Sequence, residues 1–415
     1  MPVRRIADRP GRHENKQPMA QPLQGIRVLE LGNFIAGPLS GMLLADMGAD
    51  VIKIEPPKTG DMMRASPPVI NGESLAFANI NRNKRSLALD LKKPGARELL
   101  LKLAAKADVW LENYRPGVLE SLQLGAEDVK AVNPKIVYVS VSGFGQTGPY
   151  RRRAAVNLII EAASGVLSVT GEPGEIPMRP GLQTADVFGA MFATYAALTG
   201  LLGAARHGEG RVADVSLVEA SIAAAVFETA EYLYMGTVPQ ALGRGHRLTA
   251  PYTIFKTRDR KYVATGAPNN ELFKKLLDAL KLERHSSDER FATYSSRKLH
   301  ESEVTGLVAA AILQIDAAAL EDLLVGAGVP CSRVNDYVEV FNNPQAQARG
   351  LVAEIDHPRL GRQRVARNPV LFDHGGPTIE RAAPVLGQHT EALLAEYGYA
   401  EPEIRALIEA GVVAT

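Results

Sequence analysis

Few residues in this chain have the types and spacing that chemistry needs. Its 415 residues include one cysteine and eight histidines. Cys331, in "GVPCSRV", has no second thiol for a disulfide and no neighbours for a zinc cluster, so it reads as a small buried hydrophobe in a protein of a reducing compartment. The histidines show no metal-ligand spacing, and no metal is expected. G-x-S-x-G, H-E-x-x-H and G-x-x-x-x-G-K-[ST] do not occur, which removes the nucleophile elbow, the zincin helix and the phosphate loop. "GFGQTG" (Gly143–Gly148) has the dinucleotide spacing and follows a predicted strand. However, "PYRRRA" replaces the expected helix, the strand is the last of its series, and no acidic residue stands about 20 positions on. It reads as a tight loop, with neither nicotinamide nor flavin expected. What remains for chemistry is carboxylates, backbone amides and bound substrate.

Among the carboxylates Asp186 stands apart. "QTADVFGAMFATYAALTGLLGAA" (Gln183–Ala205) carries this one charged side chain ahead of nineteen uncharged residues. An aspartate there is a natural N-cap, as is Thr184, because either oxygen satisfies a free amide of the following helix. The same position makes an accessible nucleophile: a carboxylate held ionised by the helix dipole, with Gly181 and Gly189 leaving room for a bulky substrate. Residue types alone leave both readings open.

The elements that must position such residues are legible upstream. "IRVLEL" (Ile26–Leu31), "DVIKIE" (Asp50–Glu55), "RSLALDL" (Arg85–Leu91), "DVWLEN" (Asp108–Asn113) and "KIVYVSVSG" (Lys135–Gly143) read as buried strands. Helices at Gly37–Gly48, Lys93–Ala107 and Pro116–Leu124 fall between them. This alternation predicts an α/β fold with a mostly parallel sheet, whose ligands bind at the carboxyl ends of the strands. Those ends are the loops Gly32–Gly37, Glu55–Arg64, Asn113–Gly117 and Ser142–Pro149. Val187–Ala205 has the length of a membrane span, but nine of its nineteen residues are Ala or Gly, which predicts a buried core helix and no membrane partner. "YTIFKTRDRKYVATGAP" (Tyr252–Pro268) alternates like a hairpin turning near Asp259–Arg260. The domains expected are a disordered tail over 1–21, a large domain over 22–235, a smaller α+β domain over 236–330, and a C-terminal segment over 331–415 that returns to the large domain. Lys plus Arg total 47 against 46 Asp plus Glu, so no global field draws in nucleic acid. A small partner and a cytoplasmic location are expected.

"GIRVLELGNFIAGPLSGMLLADMGADVIKIEPPKTGDMMR", "NRNKRSLALDLKKPGARELL", "DVWLENYRPGVLESL", "YVSVSGFGQTGP" and "PVLGQHTEALLAE", in unbroken order from about residue 22 to 414, resemble the family III CoA-transferases, the formyl-CoA transferase and carnitine-CoA transferase group. The resemblance implies a Rossmann-like large domain built from both ends of the chain, a small middle domain, and two subunits interlocked as a homodimer. It implies that Asp186 is the nucleophile, attacking the thioester of an acyl-CoA such as succinyl-CoA or acetyl-CoA, and that a small carboxylic acid is the acceptor. Coenzyme A would be lined by Ile35 and Ala36, by the stretch from Leu89 to Lys92, and by Asn113, Tyr114 and Arg115. Arg64, Lys92 and Arg115 would be its phosphate partners. Two departures narrow the reading. Ile35 stands where the oxalate-using branch has glutamine, and "YVATGAPNNELF" lacks that branch's glycine-rich lid, so oxalate is disfavoured. Val156 and Asn157 stand where the racemases of this fold carry their His-Asp pair, so the proton-shuttling histidine is missing. Asn157 also replaces an aspartate common in the transferases. An acyl-CoA racemase or isomerase, and a non-catalytic CoA-binding subunit, are the alternative readings.

Overall fold

A computed structural model describes residues 20–373 and 376–415; the predicted tail, apart from Ala20 and Gln21, lies outside the described residues. The chain divides into two compact units, each assembled from separate stretches. One holds the described residues up to Val141, with Ala190–Asp214 and Ala353–Thr415; the other holds Ser142–Gly189 and Val215–Val352. The sequence places 142–189 and 215–235 in the large domain and 331–352 in the C-terminal segment; all three group instead with the second unit.

The predicted buried runs form the first unit's sheet. Its strands are β1 (Arg27–Leu31), β2 (Asp50–Glu55), β3 (Arg85–Leu89), β4 (Val109–Glu112), β5 (Val137–Ser142), β6 (Val212–Ser216) and β7 (Val413–Ala414), in the order β7-β3-β2-β1-β4-β5-β6. The pairs β1/β2, β2/β3, β1/β4 and β4/β5 are parallel. Val, Ile and Leu dominate the buried positions of β1 to β5, as in a parallel sheet covered on both faces, with charged Glu30, Lys53, Glu55 and Glu112 buried among them. Leu29, Ile52, Leu87, Trp110 and Tyr138 join the residues of the Ala96–Ala104 helix and Leu393 in one core, where Trp110 stacks on Tyr138 at 5.7 Å. That helix is shorter than predicted, because Gly95 enters it with φ of 85°. The unpredicted β7 lies antiparallel on β3 and so returns the C-terminus to the sheet.

Charges are buried at the carboxyl ends of β1 and β2. Lys53 Nζ lies 2.8 Å from Glu30 Oε1, from Asp61 Oδ2 and from the Gly32 carbonyl. Lys84 Nζ lies 2.6 Å from Glu30 Oε2 and donates to the Pro38 carbonyl and Asn81 Oδ1. The Glu30, Lys53, Asp61 and Lys84 side chains are all shut off from water. The two lysines hold the Glu30 carboxyl below its ordinary value against the opposing effect of burial.

The second unit has a three-stranded antiparallel sheet ordered Cys331–Arg333, Tyr262–Gly266, Tyr252–Lys256. Its hairpin turns at the predicted place, Arg260 taking φ of 62°. Phe255, Val263, Phe273, Leu276 and Val308 form its core, and half-buried Cys331 packs against it as a hydrophobe.

The apolar segment forms a helix over Thr184–His207, but the expectation that it is buried all round is corrected. Ala190, Ala193 and Ala197 are fully buried at helical spacing, while Met191, Tyr195, Leu198 and Leu202 are exposed. Small residues on one face allow close approach to the sheet, since a Cβ on Gly200 would sit 2.4 Å from Val137. By length and composition the helix is long and apolar enough to cross a membrane.

Gly41 packs against the charge network. A Cβ there would lie 2.0 Å from Glu30 Oε2, and the two lysines prevent that oxygen from retreating. Gly41→Ala is therefore expected to lower stability by about 2 kcal/mol or more, read from denaturant unfolding followed by circular dichroism; unchanged stability would show that the network yields.

Candidate active site

In the second unit, the "GFGQTG" segment is the tight loop that the sequence suggests. Gly145 and Gly148 have φ of 83° and 80°, and turns rather than a helix follow. A Cβ on Gly143 would fall 2.3 Å from the Ala155 side chain, so its first glycine serves close packing. Beyond the loop, the Asn157–Ala163 helix presents Asn157 and Glu161 one turn apart, both buried.

These two side chains hold the start of the Thr184–His207 helix. Glu161 Oε1 accepts from the Thr184 amide at 3.2 Å and from the Thr184 hydroxyl at 2.6 Å. Asn157 Oδ1 accepts from the Asp186 amide at 3.2 Å. Two of the first turn's free amides, those of Thr184 and Asp186, are thus satisfied from a neighbouring helix. Asp186 is the third residue of its helix, so the N-cap reading does not hold, and its carboxylate makes no hydrogen bond among the described residues. Burial and the nearby Glu161 carboxylate push its pKa up to about 6. The expectation that the helix dipole holds it ionised therefore needs correcting: desolvation and a like charge work the other way. At pH 7 a carboxyl with that pKa is still about nine-tenths ionised.

In the first unit, loops at the strand ends are tied together by side-chain amides and carboxylates. Asn113 Oδ1 accepts from the Asn33 amide at 2.8 Å and Asn113 Nδ2 donates to the Asn33 carbonyl at 2.9 Å. Asp61 Oδ1 accepts from the Phe34 and Met63 amides. Ile35 is the residue before the Ala36–Asp46 helix and packs beside Met63 and Phe77; Ala36 is buried. Arg64 is committed within the protein: it is bidentate on Glu55 at 2.8 Å for both bonds, donates to the Pro384 carbonyl, and stacks on Phe77 at 3.8 Å. The structure therefore commits this guanidinium, expected as a phosphate partner, to Glu55.

A cleft of about 1130 Å³ opens beside β2 and β3. Of the residues expected around CoA, the whole stretch Leu89, Asp90, Leu91 and Lys92, together with Tyr114, lines it. Ile35, Ala36, Arg64 and Asn113 are not among its lining residues; Ile35 and Ala36 stand at the end of the loop after β1, and Asn113 is bonded to that loop. Arg115 is exposed and likewise outside the lining. Lys58, Lys93 and the C-terminal Thr415 line the cleft and escaped the sequence reading. Lys58 fell within a loop already marked at a strand end, and Lys93 borders the marked 89–92 stretch, so both had a signal. Glu161 had none, because its meeting with Thr184 depends on tertiary packing. Glu112, at the end of β4, accepts from the Tyr114 amide at 2.7 Å, and burial pushes its pKa up to about 7.

Comparison with known proteins gives the family. The family model described as CoA-transferase family III matches residues 23–390. The chain is 36% identical over 405 residues to the succinyl-CoA:glutarate CoA-transferase of Mus musculus, covering 97% of this chain and 93% of that protein. It is 36% identical over 377 residues to the succinyl-CoA–D-citramalate CoA-transferase of Chloroflexus aurantiacus, covering 91% of this chain and 94% of that one. A solved structure of a CaiB/BaiF family protein from Brucella suis superposes with a TM-score of 0.80 at 34% identity, covering 91% of this chain and all of that one. The fold is thus that of enzymes handling CoA thioesters. The chain belongs to CoA-transferase family III and is a CoA-transferring enzyme.

Proposed function

We propose that this enzyme moves CoA from an acyl-CoA donor to a small carboxylic acid through covalent intermediates on Asp186. The observation that carries this reading is the Asp186 carboxylate itself: its backbone is held by Asn157, its oxygens are unbonded, and it is largely ionised near neutral pH. An Asp186 oxygen attacks the thioester carbonyl, the carbon–sulfur bond breaks, and CoA thiolate leaves an aspartyl mixed anhydride. The thiolate attacks the aspartyl carbon, releases the donor acid and leaves an aspartyl-CoA thioester. The acceptor carboxylate then displaces thiolate to form a second anhydride. Attack of thiolate on the acceptor's carbonyl carbon yields the new acyl-CoA and frees Asp186. Each step exchanges one activated acyl group for another, so no nucleotide hydrolysis is needed.

The first unit's cleft, with Lys58, Lys92 and Lys93 beside Tyr114, suits an anionic nucleotide-like portion of CoA. Succinyl-CoA is the donor named for the two relatives above, and their acceptors, glutarate and citramalate, are dicarboxylates. A succinyl donor and a dicarboxylic acceptor are therefore our reading here. Val156 and Asn157 offer no proton-transferring side chain, which supports transfer over racemisation.

We further infer a homodimer, interlocked as the family resemblance implies. Met191, Tyr195 and Leu202 in the first unit and Leu233, Tyr234 and Met235 in the second are more than half exposed in the single chain. So many exposed large apolar side chains call for a partner surface. Light scattering should return twice the chain mass; a monomer would contradict the assembly.

Asp186→Ala should lose acyl-CoA exchange by on the order of 10³-fold or more while still binding CoA in calorimetry. Exchange retained within about tenfold would rule out the covalent route.

A further inference from the structure

The capping of the Thr184–His207 helix is unusual in where its acceptors come from. A helix start is normally satisfied by its own N-cap side chain. Here Asn157 and Glu161, four residues apart on another helix, take the Thr184 amide, the Thr184 hydroxyl and the Asp186 amide between them. No acid of the helix's own first turn is spent on capping, so Asp186 keeps both oxygens free. A glutamine at position 161 would accept the same two bonds, so the charge of Glu161 is unexplained by capping. A buried carboxyl is costly: Glu161 is fully buried, and among the described residues its Oε2 has no hydrogen-bond partner, as is true of Asn157 Nδ2. Buried polar atoms left unsatisfied ask for a functional explanation.

Resting on the nucleophile assignment above, we propose that Glu161 is a positioning residue: it anchors the first turn of the Thr184–His207 helix through Thr184 and places a second carboxyl group beside the Asp186 carboxylate. Burial is the larger cause of the raised Asp186 pKa and Glu161 the second. The Leu217–Ala224 helix, packed on the Asn157–Ala163 helix, brings one further titratable group, Glu219; the adjoining Leu167–Val169 turn brings none. A more basic carboxylate is the stronger nucleophile, and at about pH 6 its titration still leaves it ionised in neutral solution. Glu161 thus tunes the reactivity of Asp186 without touching substrate.

The test is the titration of Asp186 in the intact enzyme, read without activity: carbodiimide-driven coupling of an isotopically labelled amine across pH, with the Asp186 peptide quantified by mass spectrometry. Glu161→Gln keeps the anchor and removes the charge, and should shift the Asp186 midpoint to lower pH by roughly half a pH unit or more. Asn157→Asp keeps an acceptor for the Asp186 amide and adds a charge, and should shift the midpoint upward. If one variant fails to fold, the other carries the test with the opposite sign. The acid limb of the pH profile for thioester exchange should follow the midpoint in both. A folded Glu161→Gln enzyme with an unmoved midpoint overturns the inference. Midpoints that move while the acid limb stays in place overturn instead the nucleophile assignment on which it rests.

Discussion

The fully buried charges Glu30, Lys53, Asp61 and Lys84 constrain the architecture of the first unit more than any other interaction. Taking such ions out of water costs several kcal/mol each, repaid only while every partner stays in place. The network therefore works as a geometric lock. Lys53 reaches from β2 to Glu30 on β1 and to Asp61 in the next loop, while Lys84 draws in the Ala36–Asp46 helix through the Pro38 carbonyl. Asp61 in turn fixes the Phe34 amide, and Asn113 fixes Asn33 from the end of β4. A second layer, Arg64 on Glu55 with Ser86 donating to the same carboxylate, carries the lock to β3. Burial and the neighbouring Lys53 bring the Lys84 pKa down to about 8 despite its partner Glu30, as expected where two cations share one carboxylate.

A corresponding logic, with polar groups in place of a salt-bridge lattice, governs the second unit. Asn157 and Glu161 fix the backbone on which Asp186 is carried, so the reacting group is placed by its main chain and left free at its side chain. A nucleophile that also served as a helix cap would have to break that bond to react. Its raised pKa and its lack of hydrogen bonds are two results of one arrangement: a half-buried carboxylate given a like-charged neighbour instead of donors.

Much of this was legible in the sequence. Strand runs such as "DVIKIE" and "KIVYVSVSG" declare themselves through their Val, Ile and Tyr residues, although buried Lys53 and Glu55 interrupt the apolar run of the first. Asp186 drew attention because a lone charge before an apolar helix demands an explanation. What escaped has physical reasons too. β7 is too short to show periodicity and exists only through its pairing with β3. The half-exposed face of the Thr184–His207 helix is as apolar as its buried face, so pattern alone could not divide them. Arg64 resembled a phosphate ligand, and only its bidentate contact with Glu55 shows that its charge is already used. Glu161 belongs to a site through packing, which no local spacing encodes.

The most direct test of the account follows oxygen. If the acceptor carboxylate opens an aspartyl-CoA thioester, its bridging oxygen remains on the enzyme when thiolate takes the acceptor's acyl carbon. Turnover with an acceptor acid carrying ¹⁸O in both carboxylate oxygens, in unlabelled water, should therefore leave heavy oxygen in the Asp186 side chain, seen by mass spectrometry of its peptide. Heavy oxygen in the released donor acid with none in Asp186 would mean that donor and acceptor exchange directly, and would contradict the covalent role of Asp186.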